Sequence, residues 1–385
     1  MKVLILGMDG YIGWNLSLYL MKKGYDVFGA DNLCRRMQVS EVGSKSLTPI
    51  LPIAQRVKLA EDCFGGKLFF RKGDIHNSKF VYELFKDIRP DTIIHLAQMP
   101  SAPYSMIDLE HANKTIYQNT IGCNNVLWGM RDIVPEAHLI KMGTMGEYGT
   151  PNIDIPEGFF EIEYRGRKDK LPFPKQAGSI YHWTKVFDSQ LAMFASKIWG
   201  IKATDMNQGI VYGVSTDENM VEQGLISRFD YDGVFGTILN RFVVQSIIGM
   251  PLSVFGKGGQ IRGFINIKDV LQCIGLYIKN PPKDENYCVF NQLAEVGFTM
   301  TELAEKIVQL GLEKGYKASI RKIDNPRVES EEHYYNPDHK KLLDLGFKPA
   351  NFDKEIARMF DDLSPYKDLI NKEVIEARVK WNHKR

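Results

Sequence analysis

Lys2-Val3-Leu4-Ile5-Leu6-Gly7-Met8-Asp9-Gly10-Tyr11-Ile12-Gly13 is the stretch on which the reading of this chain turns. Lys2 to Leu6 is a short apolar run rich in branched residues and ended by glycine, which reads as a buried strand. Tyr11 to Lys23 carries Ile12, Leu16, Leu18, Tyr19 and Leu20 and stops at Gly24, where a helix C-cap belongs. A GxxGxxG loop between strand and helix turns free backbone N–H groups and the positive helix end toward an anion. Gly7, Gly10, Tyr11, Ile12 and Gly13 are therefore expected to hold the pyrophosphate of a dinucleotide.

Working outward, Asp26 to Asp31 reads as a second strand, with Asp31 placed to accept hydrogen bonds from the adenosine ribose and to repel a 2′-phosphate. That favours NAD over NADP. Arg35 and Arg36 argue mildly the other way, since a guanidinium there pairs with a phosphate, the pyrophosphate or solvent. Asn32 to Gly66 is longer than the usual strand-to-helix connection and includes a helix near Ile53 to Cys63, so it reads as an insertion with a purpose. Lys67 to Phe70 is a third strand, and Asp74-Ile75 beyond it offers an acceptor and an apolar wall for adenine.

Alternation continues with a helix at Ser78 to Lys86, a strand at Thr92 to Leu96, a long helix at His111 to Met130, a strand at Ala137 to Met142 and a helix at Ser179 to Trp199. Parallel crossovers place helices on both faces, so the expected fold is α/β: a Rossmann doubly wound parallel sheet with a smaller mixed α/β substrate-binding domain. Gly213 to Gly236 is loop-rich, Phe264 to Val270 is expected to return to the main sheet, and the chain from Thr299 onward supplies helices to the smaller domain. The expected division is interleaved: 1–206 with 264–290 for the cofactor, 207–263 with 291–385 for the substrate.

Composition narrows the classes. Of 385 residues 44% are hydrophobic and 25% charged, an ordinary globular balance. A net charge of +2 gives no broad field to attract a polyanion, which argues against nucleic acid as a partner. The five cysteines are odd in number and lack CxxC spacing, pointing to neither a disulfide framework nor a metal site. With no signal-like or membrane-length apolar run, a cytoplasmic location and no membrane contact are expected.

Tyr181 and Lys185 stand four residues apart and share a helix face. A tyrosine with its ordinary pKa of about 10 is a poor base at neutral pH, and the lysine charge is what stabilises its phenolate. Tyr181 would then take the proton from a substrate alcohol, and Thr144, at the end of the preceding strand in Gly143-Thr144-Met145-Gly146-Glu147, is placed to hydrogen-bond the same alcohol.

Together the glycine turn, Asp31, Asp74-Ile75, Thr144 and the Tyr181/Lys185 pair resemble the extended short-chain dehydrogenase/reductase family that works on nucleotide-sugars, over nearly the whole chain. Asn119-Thr120-Ile121-Gly122-Cys123-Asn124-Asn125 is similar to that family's NxxGxxN helix segment. The resemblance implies Asn32, Leu33, Arg35, Leu96, Gln118, Asn119, Gln208 and Val211 as further cofactor contacts. It implies Ser253, Val254 and Phe255 as a uridine strand, with Gln260 and the phosphate arginines Arg262 and Arg327 beyond it. It also places a sugar-linked phosphate at the helix opening Ile238-Leu239-Asn240-Arg241. The helices His111 to Met130 and Ser179 to Trp199 resemble that family's dimerisation surfaces, implying a homodimer or higher homo-oligomer.

Asp31 to Arg36, Ser46 to Ile50, Ser101 to Met106, Lys141 to Ile155 and Glu331 to Asn336 resemble one branch more closely, the sulfoquinovose synthases, which convert UDP-glucose and sulfite to UDP-sulfoquinovose with a recycled NAD. The chain departs from the plant-type members at Gln98-Met99-Pro100, where they carry an arginine. It also differs from ordinary 4,6-dehydratases, whose strand end reads T-D-E, because Met145-Gly146 replaces the acid/base pair. His182 and Glu147 are then the candidates for the elimination step. A 4-epimerase, a 4,6-dehydratase and a dinucleotide-binding sensor without catalysis are the competing readings, and the sensor needs no catalytic pair.

Overall fold

A computed structural model describes residues 1–283, 285–294, 297–330 and 332–381. Its main sheet is built from β1 (Lys2–Leu6), β2 (Asp26–Asp31), β3 (Leu68–Lys72), β4 (Thr92–His95) and β5 (His138–Thr144). After the antiparallel hairpin β6 (Phe159–Tyr164) and β7 (Arg167–Pro172) comes β8 (Lys202–Gln208), then the short β9 (Ile210–Tyr212), β10 (Leu252–Phe255) and β11 (Phe264–Asn266), and finally β12 (Tyr287–Gln292) and β13 (Ile320–Ile323). Seven strands, all parallel, run in the order β12-β8-β5-β4-β1-β2-β3. The reversal of order between β1 and β4 opens the crevice in which α/β sheets bind ligands.

Helices α1 (Tyr11–Lys22), α2 (Cys34–Glu41), α3 (Ile53–Phe64) and α4 (Ser78–Ile88) precede a long rod made of α5 (Leu109–Ile116), a π turn at Tyr117–Ile121 and α6 (Gly122–Ile133). Then come α7 (Ile180–Trp199), α8 (Ile238–Ile247), α9 (Ile267–Lys279) and α10 (Met300–Glu313), with α11 (Lys340–Asp344) and α12 (Phe352–Leu363) closing the series. One face of the sheet buries Val81, Phe85, Val126, Met130 and Ala195 from α4, α6 and α7. The other buries Trp14, Leu18, Val270 and Ile274 from α1 and α9. A separate core of Phe242, Val243, Leu303, Ile307, Ile356 and Phe360 joins α8, α10 and α12 beside the two-stranded sheet β10–β13.

The structure corrects one expected element. Phe264 to Val270 does not return to the main sheet: β11 pairs with β9 in a two-stranded sheet of its own, and Ile267 already begins α9, capped by the Asn266 side chain. The seventh main strand is instead β12, alongside β8 and running two residues past 290 to Gln292. A short apolar run does not by itself distinguish a strand from the start of a buried helix.

The insertion after β2 has a visible task. Asp9, inside the glycine turn and 3% exposed, accepts two hydrogen bonds from Arg36 of α2, at 2.7 and 2.8 Å, and one at 2.9 Å from Arg56 of α3. Arg56 is fully buried and stacks on Trp14 with its guanidinium carbon 3.9 Å from the ring centre. Arg36 is thus engaged with a carboxylate and is not among the residues lining the cleft. Removing one partner of a buried ion pair strands the other charge. Asp9→Ala is therefore expected to lower the unfolding free energy by about 3–5 kcal/mol, read by urea denaturation of the cofactor-free protein.

Candidate active site

One cleft of about 640 Å³ runs from the glycine turn past the tip of β5 to α8 and the segment after β13. At its first end Gly7 adopts φ +90°, and a Cβ there would lie 2.7 Å from the backbone of Leu96 and Ala97. A Cβ on Gly13 would sit 2.1 Å from the Gly7 carbonyl. The turn is open to an incoming phosphate because Gly10 gives α1 no side-chain cap and its first turn holds no acidic residue.

Asp31 is bound through both carboxylate oxygens, by the N–H groups of Leu33 at 2.6 Å and Asp9 at 2.9 Å. Burial pushes its carboxyl up to about 6, against the pull of those two N–H groups. Asp74 receives the Asn32 amide at 3.0 Å and the His76 N–H at 2.9 Å, and the hydrogen bond from the His76 ring holds it far below the usual carboxylate range. Arg35 donates to Asp230 at 2.9 Å and stacks on Phe235, leaving one buried terminal nitrogen without a partner. Such a nitrogen on a residue lining the cleft suits a phosphate oxygen. The π turn brings Gln118 into the cleft, where Gln38 donates to its amide at 3.2 Å. A dinucleotide fits these residues: a close backbone cradle, an uncapped helix start, a carboxylate at the ribose position and an unmatched guanidinium.

At the middle of the cleft, Lys185 donates to the Met142 carbonyl at 2.8 Å and to Gln98 Oε1, placing two of its three donors, and its Nζ lies 5.9 Å from the centre of the Tyr181 ring. Burial lowers the Lys185 ammonium and raises Asp188, one turn further along α7, while each attracts the other's charged form. Gln98 bridges the two through its amide. Burial, and secondarily the Glu147 carboxylate, raise the Tyr181 phenol above its ordinary value, and the Thr144 side chain opposes them. Thr144 accepts the Gly146 N–H at 3.2 Å. His182 receives the Ser179 hydroxyl or donates to it at 2.9 Å through Nδ1, and burial holds its ring down at about 3, hence neutral. Its Nε2 sits where a Cβ on Gly146 would fall, 2.3 Å away.

The far end is cationic. Arg241, Arg262 and Arg327 all line it, and Glu329 pairs with Arg262. Arg241 is lowered to about 10 by burial and then by Arg327, which is itself lowered by burial and by Arg262. Three guanidiniums lining one end of the cleft, of which Arg262 is paired with Glu329, are a donor set suited to a diphosphate. Ile238 and Asn240 of α8, together with Phe255 and Gln260, complete the lining there.

The cleft thus brings together most of the residues singled out in the sequence, but six lie outside its lining. Leu33 gives its N–H to Asp31 and its carbonyl accepts from the Arg36 N–H at 3.3 Å. Asn119 is fully buried and clamps the Met99 backbone and the Thr184 hydroxyl, which positions the Leu96 to Met99 segment against α7. Glu147 is fully buried, accepting the Thr144 N–H at 3.2 Å and the Ser189 hydroxyl at 2.9 Å and pairing with Lys175, so it shapes the β5 tip and does not face the cleft. Leu239 belongs to the second core, and Val254 is likewise fully buried. Ser253 spends its N–H on Gln245 at 3.3 Å. The sequence reading missed Gln98 as a bridge and Arg228, which lines the cleft and grips Asp230 at 3.1 Å; Gln98 had signalled itself only as a departure from the plant-type pattern.

With this geometry in place, relatives can be compared. Residues 3–291 match the model of the NAD dependent epimerase/dehydratase family. The chain is 47% identical over 381 residues to the chloroplastic UDP-sulfoquinovose synthase of Spinacia oleracea, covering 99% of this chain and 79% of that protein. It is 44% identical over 385 residues to the UDP-sulfoquinovose synthase of Sulfolobus acidocaldarius, covering 99% and 98%. Among solved structures, the UDP-glucose 4-epimerase of Thermotoga maritima with UDP-glucose matches with a TM-score of 0.71 at 20% identity, over 96% of this chain and 100% of that one. At that identity the likeness concerns the fold alone.

An Asp31 that accepts from ribose hydroxyls has to be ionised to do so, so with its carboxyl raised to about 6 dinucleotide binding is expected to be supported above about pH 6 and to weaken as the pH falls through it. NAD affinity measured by equilibrium dialysis should fall up to about tenfold per pH unit below that point. Asp31→Asn should bind weakly and without that step; a wild-type affinity flat across this range would contradict the assignment.

Proposed function

The chain belongs to the NAD dependent epimerase/dehydratase family and, within it, groups with the UDP-sulfoquinovose synthases, and from that premise we propose that it converts UDP-glucose and sulfite to UDP-sulfoquinovose and water. The observation that carries this reading is the neutral imidazole of His182 seated in the space left by Gly146, at the strand end where a 4,6-dehydratase has its acidic pair.

NAD supplies the hydride acceptor at the sugar C4 and returns the hydride at the end of the cycle. Tyr181 takes the C4 hydroxyl proton; because burial raises its phenol, its phenolate needs both the Lys185 charge and the positive nicotinamide ring, while Thr144 donates to the same oxygen. The C4 ketone acidifies the C5 proton. His182 removes it and hands it to the C6 hydroxyl, which leaves as water. Burial, with Arg327 and Arg262 beyond it, keeps the ring neutral and so able to accept the C5 proton before passing it on. Sulfite enters as hydrogensulfite and forms the C6–S bond, its proton passes through His182 to C5, and as the hydride returns to C4 Tyr181 gives its proton back to O4. Arg241, Arg262 and Arg327 hold the UDP diphosphate, and Ile238 and Asn240 of α8 lie beside its sugar-linked phosphate.

A homodimer or higher homo-oligomer is supported by the apolar side chains that α5, α6 and α7 leave in solvent, among them Leu109, Trp128, Trp183, Phe187 and Ile198. No helix among the described residues is long and apolar enough to cross a membrane. We place the chain in the cytoplasm on its five free thiols. No group of three metal-ligating side chains suited to a metal is found among the described residues, and the reaction as written calls for none.

Incubation with UDP-glucose, sulfite and NAD should give a UDP-sugar sulfonate by mass spectrometry, whereas UDP-galactose as sole product would establish a 4-epimerase instead. Tyr181→Phe should lower turnover by about 10²–10⁴-fold, and full turnover in that variant would overturn the catalytic assignment. His182→Asn should stop after C4 oxidation, visible as accumulated reduced cofactor without sulfonate.

A further inference from the structure

After α12 the chain passes under the cleft's far rim. The Asn371 N–H donates to the Tyr231 hydroxyl at 2.9 Å, and the Val374 carbonyl accepts from Gly233 at 2.8 Å. The backbone then runs so close to Gly233 that a Cβ there would lie 2.4 Å from the Glu376 carbonyl. Glu376 is fixed by the Ser253 hydroxyl at 3.2 Å and by Arg321 of β13. From 377 to 381 exposure alternates: Arg378 and Lys380 face solvent while Ala377, Val379 and Trp381 line the cleft, the two-residue period of an extended chain laid across an opening. Its end is pinned where the Trp381 N–H donates to the Pro326 carbonyl at 2.9 Å, and the Arg327 guanidinium carbon lies 5.1 Å from the centre of the Trp381 ring.

We propose that residues 377–381 form a strap that closes the nucleotide end of the cleft, with Trp381 a substrate-binding residue that roofs Arg327 over the UDP diphosphate. This inference rests on the nucleotide-sugar reading above. The ring holds Arg327 by a cation–π contact in a site where Arg262 and Arg241 repel it, so the guanidinium is already oriented before the diphosphate arrives. The indole also excludes water from the diphosphate contacts, which strengthens them. The small side chains of Ala377 and Val379 leave room for the nucleoside beneath the strap.

The chain has five tryptophans, and of these only Trp381 lines the cleft, so it reports on ligand there. UDP titrated into the NAD-loaded enzyme should change the intrinsic fluorescence, and the change should vanish in Trp381→Phe while UDP still binds by calorimetry. Trp381→Ala should raise the KM for UDP-glucose about tenfold with kcat within about twofold and NAD retention unaltered, and Trp381→Phe should recover most of the affinity. Wild-type affinity for UDP in Trp381→Ala, or an undiminished fluorescence change in Trp381→Phe, would overturn the strap and leave the nucleotide-sugar reading standing. Failure of the wild-type enzyme to bind UDP at all would overturn both.

Discussion

Beneath the catalytic pair lies a buried ion cluster on which the geometry of the centre depends. Lys141 on β5 is fully buried and donates to Asp205 of β8 at 3.0 Å and to Ser189 of α7 at 2.8 Å, with Glu147 at 3.8 Å. Glu147 in turn binds Lys175, Ser189 and the Thr144 N–H, and Asp205 accepts the Tyr287 hydroxyl from β12 at 2.7 Å. With Lys185 and Asp188 the cluster holds three lysines and three carboxylates, so its formal charge cancels. Lys141 stays protonated against the cost of burial because Asp205 and Glu147 face it. Leaving any one of these charges unmatched in such a place costs about 3–5 kcal/mol. The cluster therefore ties the β5 tip, α7, β8 and β12 into one register, and Thr144, Tyr181 and Lys185 inherit their relative positions from it.

That dependence explains which parts of the site could be read from sequence. The glycine turn, Asp31 and the Tyr181/Lys185 spacing are local: neighbouring residues set their geometry and any sheet that forms around them preserves it. Glu147 and Asn119 are polar residues next to reactive ones, and sequence adjacency does not reveal which way a side chain turns. Both turn inward, where Lys175, the Thr144 N–H and Ser189 of α7 satisfy Glu147, and the Met99 backbone and Thr184 of α7 satisfy Asn119. Val254 and Leu239 sit on elements of the expected type, yet their faces are decided by α10 and α12, far along the chain. Phe264 to Val270 was misplaced for a related reason, since a short apolar run carries no period, and only the Asn266 cap marks where strand gives way to helix.

The chain's near-neutral net charge conceals a polarised cleft. The dinucleotide end offers an uncapped helix start and Arg35 beside Arg228 and Asp230. The opposite end gathers Arg241, Arg262 and Arg327, with Glu329 paired to Arg262 and with Asp232 and Glu376 acting on Arg241. Guanidiniums thus flank the Tyr181 centre on both sides, and a count of residues over 385 positions averages them away.

The pairing of Gly146 with His182 shows how one fold changes its chemistry at small structural cost. A side chain at 146 and the imidazole at 182 compete for the same space, so an acidic residue at the first excludes the second from its present place. With glycine there, the helix start is free to fix the ring through Ser179, and burial keeps the ring neutral. In the proposed reaction, an acidic pair would bring negative charge to the spot where the anionic nucleophile has to approach C6. A neutral imidazole moves the same proton without repelling the nucleophile. A glycine at 146 thus leaves the proposed reaction a centre free of carboxylate charge at that position, which suits an anionic second substrate.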